Sequence, residues 1–450
     1  MSASAPAVDS LEPLLSRLRD ARAHTDGLFT FITPDAMYDR PISERHRLIF
    51  YLGHLEAFDW NLLGRGALAL APHHAEFDQL FSFGIDPTRG NLPCDVPSDW
   101  PSEAQILDYN RQCRDRLDDV LQQQVTPRGE SSGFSARTLL HVAIEHRLMH
   151  AETLAYLLHQ LPYEKKRGPV STSPAFALSR LGSPRAVTIP RGIATVGLPR
   201  RDGAESRFGW DNEFDETRVE VPEFSIDVFP VTNAQFLEFV RAGGYYAREL
   251  WTPEDWEWKR SHELHQPLFW DRFGDAWFYR GMFQLIPLPD DWPVFVSHAE
   301  ASAYARWIGK SLPTETQWHR TAYGTPQEEE RAYPWGNAAP DATRGNFDAA
   351  HWDPESVTAH PAGASAFGVH DLLGNGWEWT STLFSPLPGF EPFPFYRGYS
   401  ADFFDGRHYV MKGGSPRTAA CMLRRSFRNW FQPRYPYVYA KFRCVQERAT

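Results

Sequence analysis

His146 and His150 are four residues apart inside the apolar-periodic run from Thr138 to Leu161. A helix turning ~100° per residue puts both imidazoles on one face, where they can grip a single ion. His141 and Glu152 do not share that face. Spacing alone is weak, because 17 histidines in 450 residues produce such pairs by chance. His54 strengthens the case. It stands among core-like residues in another amphipathic stretch, Arg45 to Leu63. A lone histidine there usually just satisfies a hydrogen bond, but three converging from two helices of a bundle make a metal site.

The elements that must position these rings follow from periodicity and breakers. Residues 9 to 165 read as helical, with amphipathic segments over Leu11 to Asp26, Arg45 to Leu63, Ser102 to Gln124 and Thr138 to Leu161. Four helices of this length predict an up-and-down bundle over residues 1 to 165. Its second connection, His73 to Pro101, is long and rich in Pro, Gly and Asp, as functional loops often are. Residues 166 to 185 have linker chemistry. From 186 to 450 the pattern changes to short strands, such as Ala186 to Ile189 and Arg218 to Ile226, with two clear helices, Asn233 to Ala242 and Ser297 to Ile308. The fold class predicted is therefore α+β: a helical bundle, then a mixed, loop-rich domain held by aromatic packing.

Composition removes several function classes. A net charge of -11 with no basic run argues against a nucleic-acid partner. No apolar run approaches the ~20 residues needed to span a bilayer, which predicts no membrane partner. Met1 to Val8 carries no secretory pattern, and Cys94, Cys113, Cys421 and Cys444 are scattered without paired spacing. They read as reduced thiols of a cytoplasmic protein.

In the second half, Phe208-Gly-Trp-Asp-Asn-Glu213, Pro230-Val-Thr-Asn233, Leu312-Pro-Thr-Glu315 with Trp318, Trp335-Gly-Asn337, Asp371-Leu-Leu-Gly-Asn-Gly-Trp-Glu-Trp379, Gly413-Gly-Ser415 and Phe442-Arg443 occur in order. Together they resemble the sulfatase-modifying-factor fold of the formylglycine-generating enzymes, a C-type-lectin-like domain. Most of these motifs have a structural meaning: Asn and Gly support turns, and the Trp-Glu-Trp places a buried carboxylate against a loop. Formylglycine generators carry two cysteines after Gly-Gly-Ser. Here Thr418 and Leu423 stand at those positions and Cys421 is displaced from both, which excludes copper-thiolate chemistry.

The first half, with His54 and His146-x3-His150-x-Glu152, resembles the DinB-like bundle. The two halves in this order resemble the ergothioneine sulfoxide synthase family. That resemblance implies a nonheme Fe(II) held by His54, His146 and His150, which uses O2 to attach sulfur to carbon 2 of the hercynine imidazole. Three neutral imidazoles would leave the ion its full charge and three open positions, and a dicationic site lowers the pKa of a bound thiol or selenol. Glu152 is then an outer hydrogen-bond acceptor or an interhelix contact.

Hercynine carries a trimethylammonium, which aromatic faces bind at ~0.5 to 2 kcal/mol per ring. The segment Arg425 to Arg434 resembles the family's substrate-binding stretch and points to Asn429 and Trp430, while Arg428 either joins them or pairs with a buried acid such as Glu378. Several residues depart from relatives that use gamma-glutamylcysteine. Phe431 replaces the Asp after that Trp, Tyr435 stands farther on, Arg89 is the one loop arginine retained, and Met149 replaces Gln. Together with Tyr38-Asp-Arg-Pro-Ile-Ser-Glu-Arg-His46 and Tyr51-Leu-Gly-His-Leu-Glu-Ala-Phe-Asp-Trp-Asn61, these residues resemble the selenoneine-synthase branch. The expected donor is a selenosugar, with Phe431, Tyr435 and the aromatic stretch Phe390 to Tyr399 as platforms and Arg89 near the donor. The alternative donor is cysteine or gamma-glutamylcysteine. The family's proton or hydrogen-atom donor would be Tyr396 or Tyr399, unless both are loop packing. A zinc-binding DinB-type transferase that works without O2 is the reading from another class.

Overall fold

The computed structural model describes residues 11–82, 92–122, 135–168, 185–200 and 207–447. The chain divides into two compact units, Met1–Pro169 and Val170–Thr450.

The first unit is helical. α1 (Glu12–Phe29) packs along α5 (Ala136–Gln160), and α2 (Leu48–Asp59) packs on α4 (Glu103–Gln122) as well as on α5. α5 starts where the Ser135 hydroxyl accepts the Thr138 amide, and no Gly or Pro interrupts its 25 residues. The segment expected as one helix from Arg45 to Leu63 is two elements. α2 ends at Asp59 and the chain continues as a π-helix over Trp60–Ala67, which contains Gly64 and Gly66. The connection from His73 to Pro101 is also more than a loop. It carries α3 (Ala75–Leu80), capped by the His74 ring, whose Nδ1 accepts the Phe77 amide. No helix among the described residues is long and apolar enough to cross a membrane.

The second unit holds twelve described strands and four α-helices. β1 (Ala186–Ile189) is followed by β2 (Gly192–Val196), β3 (Thr217–Val221) and β4 (Phe224–Asp227). The expected strand from Arg218 to Ile226 therefore breaks at Pro222, because proline cannot donate to a continuing ladder. Its halves join different sheets: β3 pairs with β2, and β4 pairs with β1. α6 (Asn233–Arg241) and α7 (Pro253–Ser261) precede the meander of β5 (Trp270–Phe273), β6 (Ala276–Arg280) and β7 (Leu285–Pro287). α8 (His298–Trp307) and α9 (Glu315–Tyr323) come next. Two helices were expected here, so α7 and α9 are corrections. α9 even carries a capping box, with Thr314 accepting the Gln317 amide and Gln317 returning to Thr314.

The main sheet runs β10 (Asn429–Phe431), β9 (Tyr409–Gly414), β8 (Gly376–Leu383), β11 (Ala440–Lys441), with β11 parallel to β8. β12 (Val445–Glu447) completes the sheet of β1 and β4. Trp318 of α9 anchors the core with Ile189, Ile226, Leu372 and Val445. Its indole donates to Glu378 at 2.9 Å, and Arg443 grips the same fully buried carboxylate at 2.6 and 2.7 Å.

Candidate metal centre

α2 and α5 bring three imidazoles to one point. The His54 and His150 Nε2 atoms lie 3.2 Å apart, the His150 and His146 Nε2 atoms 3.1 Å, and all three rings are buried. Among the described residues they are the one group of His, Cys, Asp or Glu whose donor atoms gather closely enough for an ion. Two nitrogens each ~2.1 Å from one ion and at right angles stand ~3 Å apart, so the His54–His150 and His150–His146 edges each fit neighbouring ligands of one ion. Glu152 is half-buried and outside this group.

The protonation states suit a cation. Burial lowers His54 to about 4, against the raising effect of its bond to Phe81. His146 and His150 sit well below the ordinary histidine value, chiefly through burial and then through the neighbouring rings. All three are therefore neutral near pH 7 and have lone pairs to donate. His54 donates its Nδ1 proton to the Phe81 carbonyl at 2.6 Å, which leaves Nε2 as its lone-pair nitrogen. The donor set fits a divalent transition metal.

Apolar rings enclose the cluster. Phe58 stacks on His146 at 3.4 Å, Phe50 stacks on His54 at 4.9 Å, and Tyr51 lies 5.8 Å from His150. Behind the ligands, fully buried Arg147 bonds Glu56 at 2.9 Å, Asp59 at 2.6 Å and the Leu55 carbonyl at 2.9 Å, tying α5 to α2. Burial alone would raise Glu56, but Arg147, Arg114 and Arg22 overcome it and bring it down to about 2. Asp59 is raised by burial despite Arg147. Spacing pointed to His146 and His150, and a core-like setting in a second amphipathic stretch pointed to His54, whereas Phe81, Phe50, Phe58 and Arg147 went unread. A backbone carbonyl and a partner on another helix leave no mark in a sequence pattern.

The other predicted residues lie in the second unit, apart from Arg89, which falls outside the described residues, and Met149, which is half-buried on α5. Trp430 stacks on Phe384 at 4.2 Å and meets Tyr399 edge-on at 5.4 Å. Tyr399 stacks in turn on Trp210 at 4.0 Å and neighbours Tyr396 at 5.5 Å. Trp430 and the two tyrosines thus share one aromatic cluster. Asn429 begins β10, and its Oδ1 accepts the Trp430 amide. Phe431 and Tyr435 form a separate stack at 5.3 Å. Arg428 does not reach Glu378. It forks onto Glu315 at 2.9 and 3.1 Å, because Arg443 already occupies Glu378. Thr418, at a position where a formylglycine generator has cysteine, is buried and closes a turn by accepting the Ser415 amide. None of the four cysteines is in a disulfide.

The chain matches the sulfatase-modifying factor enzyme 1-like domain over residues 175–448 and the DinB superfamily over residues 17–154. It is 37% identical over 450 residues to the hercynine oxygenase of Mycolicibacterium thermoresistibile, covering 98% of this chain and 96% of that one. The hercynine oxygenase of Mycolicibacterium smegmatis is 35% identical, with 77% of each chain covered. Ergothioneine biosynthesis protein 1 of Neurospora crassa is 27% identical over 92% of this chain and 55% of its own length. With both halves matched in order and one such relative aligned over nearly its full length, the chain belongs to the hercynine oxygenase family.

Proposed function

We propose that the chain is a nonheme Fe(II) enzyme that uses O2 to join a chalcogen donor to carbon 2 of the hercynine imidazole, with His54, His146 and His150 as iron ligands. The observation that carries this reading is the convergence of three neutral Nε2 atoms in a member of the hercynine oxygenase family. Bound there, iron would supply a dicationic Lewis acid with open positions for O2 and a chalcogenolate. The apolar rings of Phe50 and Phe58 keep water from the imidazoles, and the Arg147 bonds hold the two ligand helices in register.

Asn429 and Trp430 are proposed to hold hercynine, the indole face taking the trimethylammonium. Tyr399, or its neighbour Tyr396, is proposed to hold the proton or hydrogen atom that the reaction moves. The names of the relatives favour a thiol donor such as cysteine or gamma-glutamylcysteine. The hydrogens of the imidazole C2–H and the S–H then leave with one oxygen atom as water, and the other oxygen atom ends on sulfur. One observation favours a second reading, a selenosugar donor and a carbon–selenium bond. The Phe431–Tyr435 stack offers an aromatic platform where relatives that use gamma-glutamylcysteine place a charged clamp. Arg89 is proposed to face the donor in either case.

Anaerobic loading followed by oxygen-uptake assays tests the reading. One Fe(II) should bind per chain, and O2 should be consumed only with hercynine and donor together. His54→Ala or His150→Ala should abolish both stoichiometric iron and turnover. Preference for Zn(II) with group transfer in the absence of O2 would sink the proposal. Product mass after parallel assays with cysteine, gamma-glutamylcysteine and a selenosugar decides the donor.

A further inference from the structure

The contact that fixes His54 comes from α3, within the long connection between α2 and α4. Phe81 caps the C-terminus of α3, and its carbonyl accepts the His54 Nδ1 proton. Two features bring that carbonyl into place. Gly53, directly before His54, presents no side chain, and a Cβ there would stand 2.7 Å from the Phe81 ring. Phe81 is fully buried against this bare position and also packs near Trp100 and Tyr109. Asp78 supplies the second feature. One of its carboxylate oxygens accepts the His73 amide at 2.9 Å, and the other accepts the Tyr109 hydroxyl of α4 at 2.8 Å. The buried carboxylate therefore fastens the start of α3 and docks the helix onto α4.

We infer that α3 is a positioning element for His54: the Asp78–Tyr109 bond and the bare surface at Gly53 hold the Phe81 carbonyl on Nδ1, so that Nε2 faces His146 and His150 as a lone pair. The inference rests on the metal reading above. A neutral imidazole has two tautomers, and only the one with its proton on Nδ1 can ligate through Nε2. Loss of a ligand's orienting partner typically weakens metal binding 10- to 100-fold. Asp78, Tyr109 and Gly53 touch no ligand nitrogen, so each acts through Phe81.

The test uses the full chain with 15N-labelled histidine. In metal-free protein, the His54 ring shifts should report one tautomer, protonated at Nδ1. Gly53→Ala and Tyr109→Phe should mix the tautomers and weaken Fe(II) binding about 10-fold or more, with far-ultraviolet circular dichroism unchanged. Should Gly53→Ala fail to fold, Tyr109→Phe decides, since it removes one hydroxyl. A folded variant that keeps the Nδ1 proton and wild-type affinity overturns the inference, and so does weaker binding with the tautomer unchanged. A wild-type chain that binds no metal defeats the metal reading instead, while the tautomer comparison still judges α3.

Discussion

Arg147 shows how a single side chain can govern a site it does not enter. Its neighbour His146 faces the cluster, while its own guanidinium, fully buried, answers Glu56 and Asp59 on the facing helix. Removing one partner of a buried ion pair strands the other. Arg147→Ala is therefore expected to destabilise the helical unit by ~3–5 kcal/mol, measured as a lower urea midpoint at unchanged slope. A loss under ~1 kcal/mol would mean that solvent already reaches these carboxylates. His146 and His150 were legible because side-chain type and a spacing of four carry the chemistry, and His54 because it stands among core residues of another amphipathic stretch. Arg428 was legible as a buried arginine but not in its partner, because the choice between Glu315 and Glu378 depends on which loops Arg443 reaches.

At the scale of elements, β10 brings Trp430 beside β9 and into the ring cluster of Phe384 and Tyr399. Trp430→Ala is expected to weaken hercynine binding roughly 2- to 30-fold, the worth of ~0.5–2 kcal/mol for a well-placed ring. Calorimetric titration reads this, with iron content unchanged as the control. Unaltered affinity would relegate Trp430 to packing. The long bundle helices were readable because 20 or more periodic residues outvote local noise. α7 was not, because Trp256 and Trp258 alternate as in a strand, and α9 was not, because it buries polar Gln317, His319 and Arg320, which break the apolar period. The switch from α2 to a π-helix at Trp60 left no signal, since periodicity scarcely separates one extra residue per turn from an ordinary helix end.

Across the whole molecule, buried titratable groups set the acid response. Burial lowers His298 to about 3, and His319 also sits well below its ordinary value for the same reason. Between pH 6.5 and 3 the unfolded chain then binds protons that the folded His298 refuses, so this group's contribution is complete above pH 6.5 and is lost as pH falls. Asp211, raised to about 6 by burial, pulls the opposite way, so the comparison must be made against a variant. His298→Phe, which preserves the stack on Tyr409, should lose less stability than the wild type from pH 6.5 to 4. Each such histidine contributes at most about 1.4 kcal/mol per pH unit. Parallel stability curves for the two proteins would show that His298 titrates freely. The helical-then-mixed composition of the chain was readable from periodicity. The sheet order was not, because β12 has only three residues and pairs with a strand more than 200 positions earlier.

That pairing bears on how the chain is made. β4 emerges from the ribosome early with one edge answered by β1, and its other edge waits for residues 445–447. Ser311 likewise waits for Val445, and Glu378 has no guanidinium until Arg443 has left the exit tunnel. The strand-rich unit cannot close until residues 443–447 have left the exit tunnel. Until then its nascent form keeps an unmatched interior carboxylate and an open strand edge, an exposed edge of the kind on which other chains can pair.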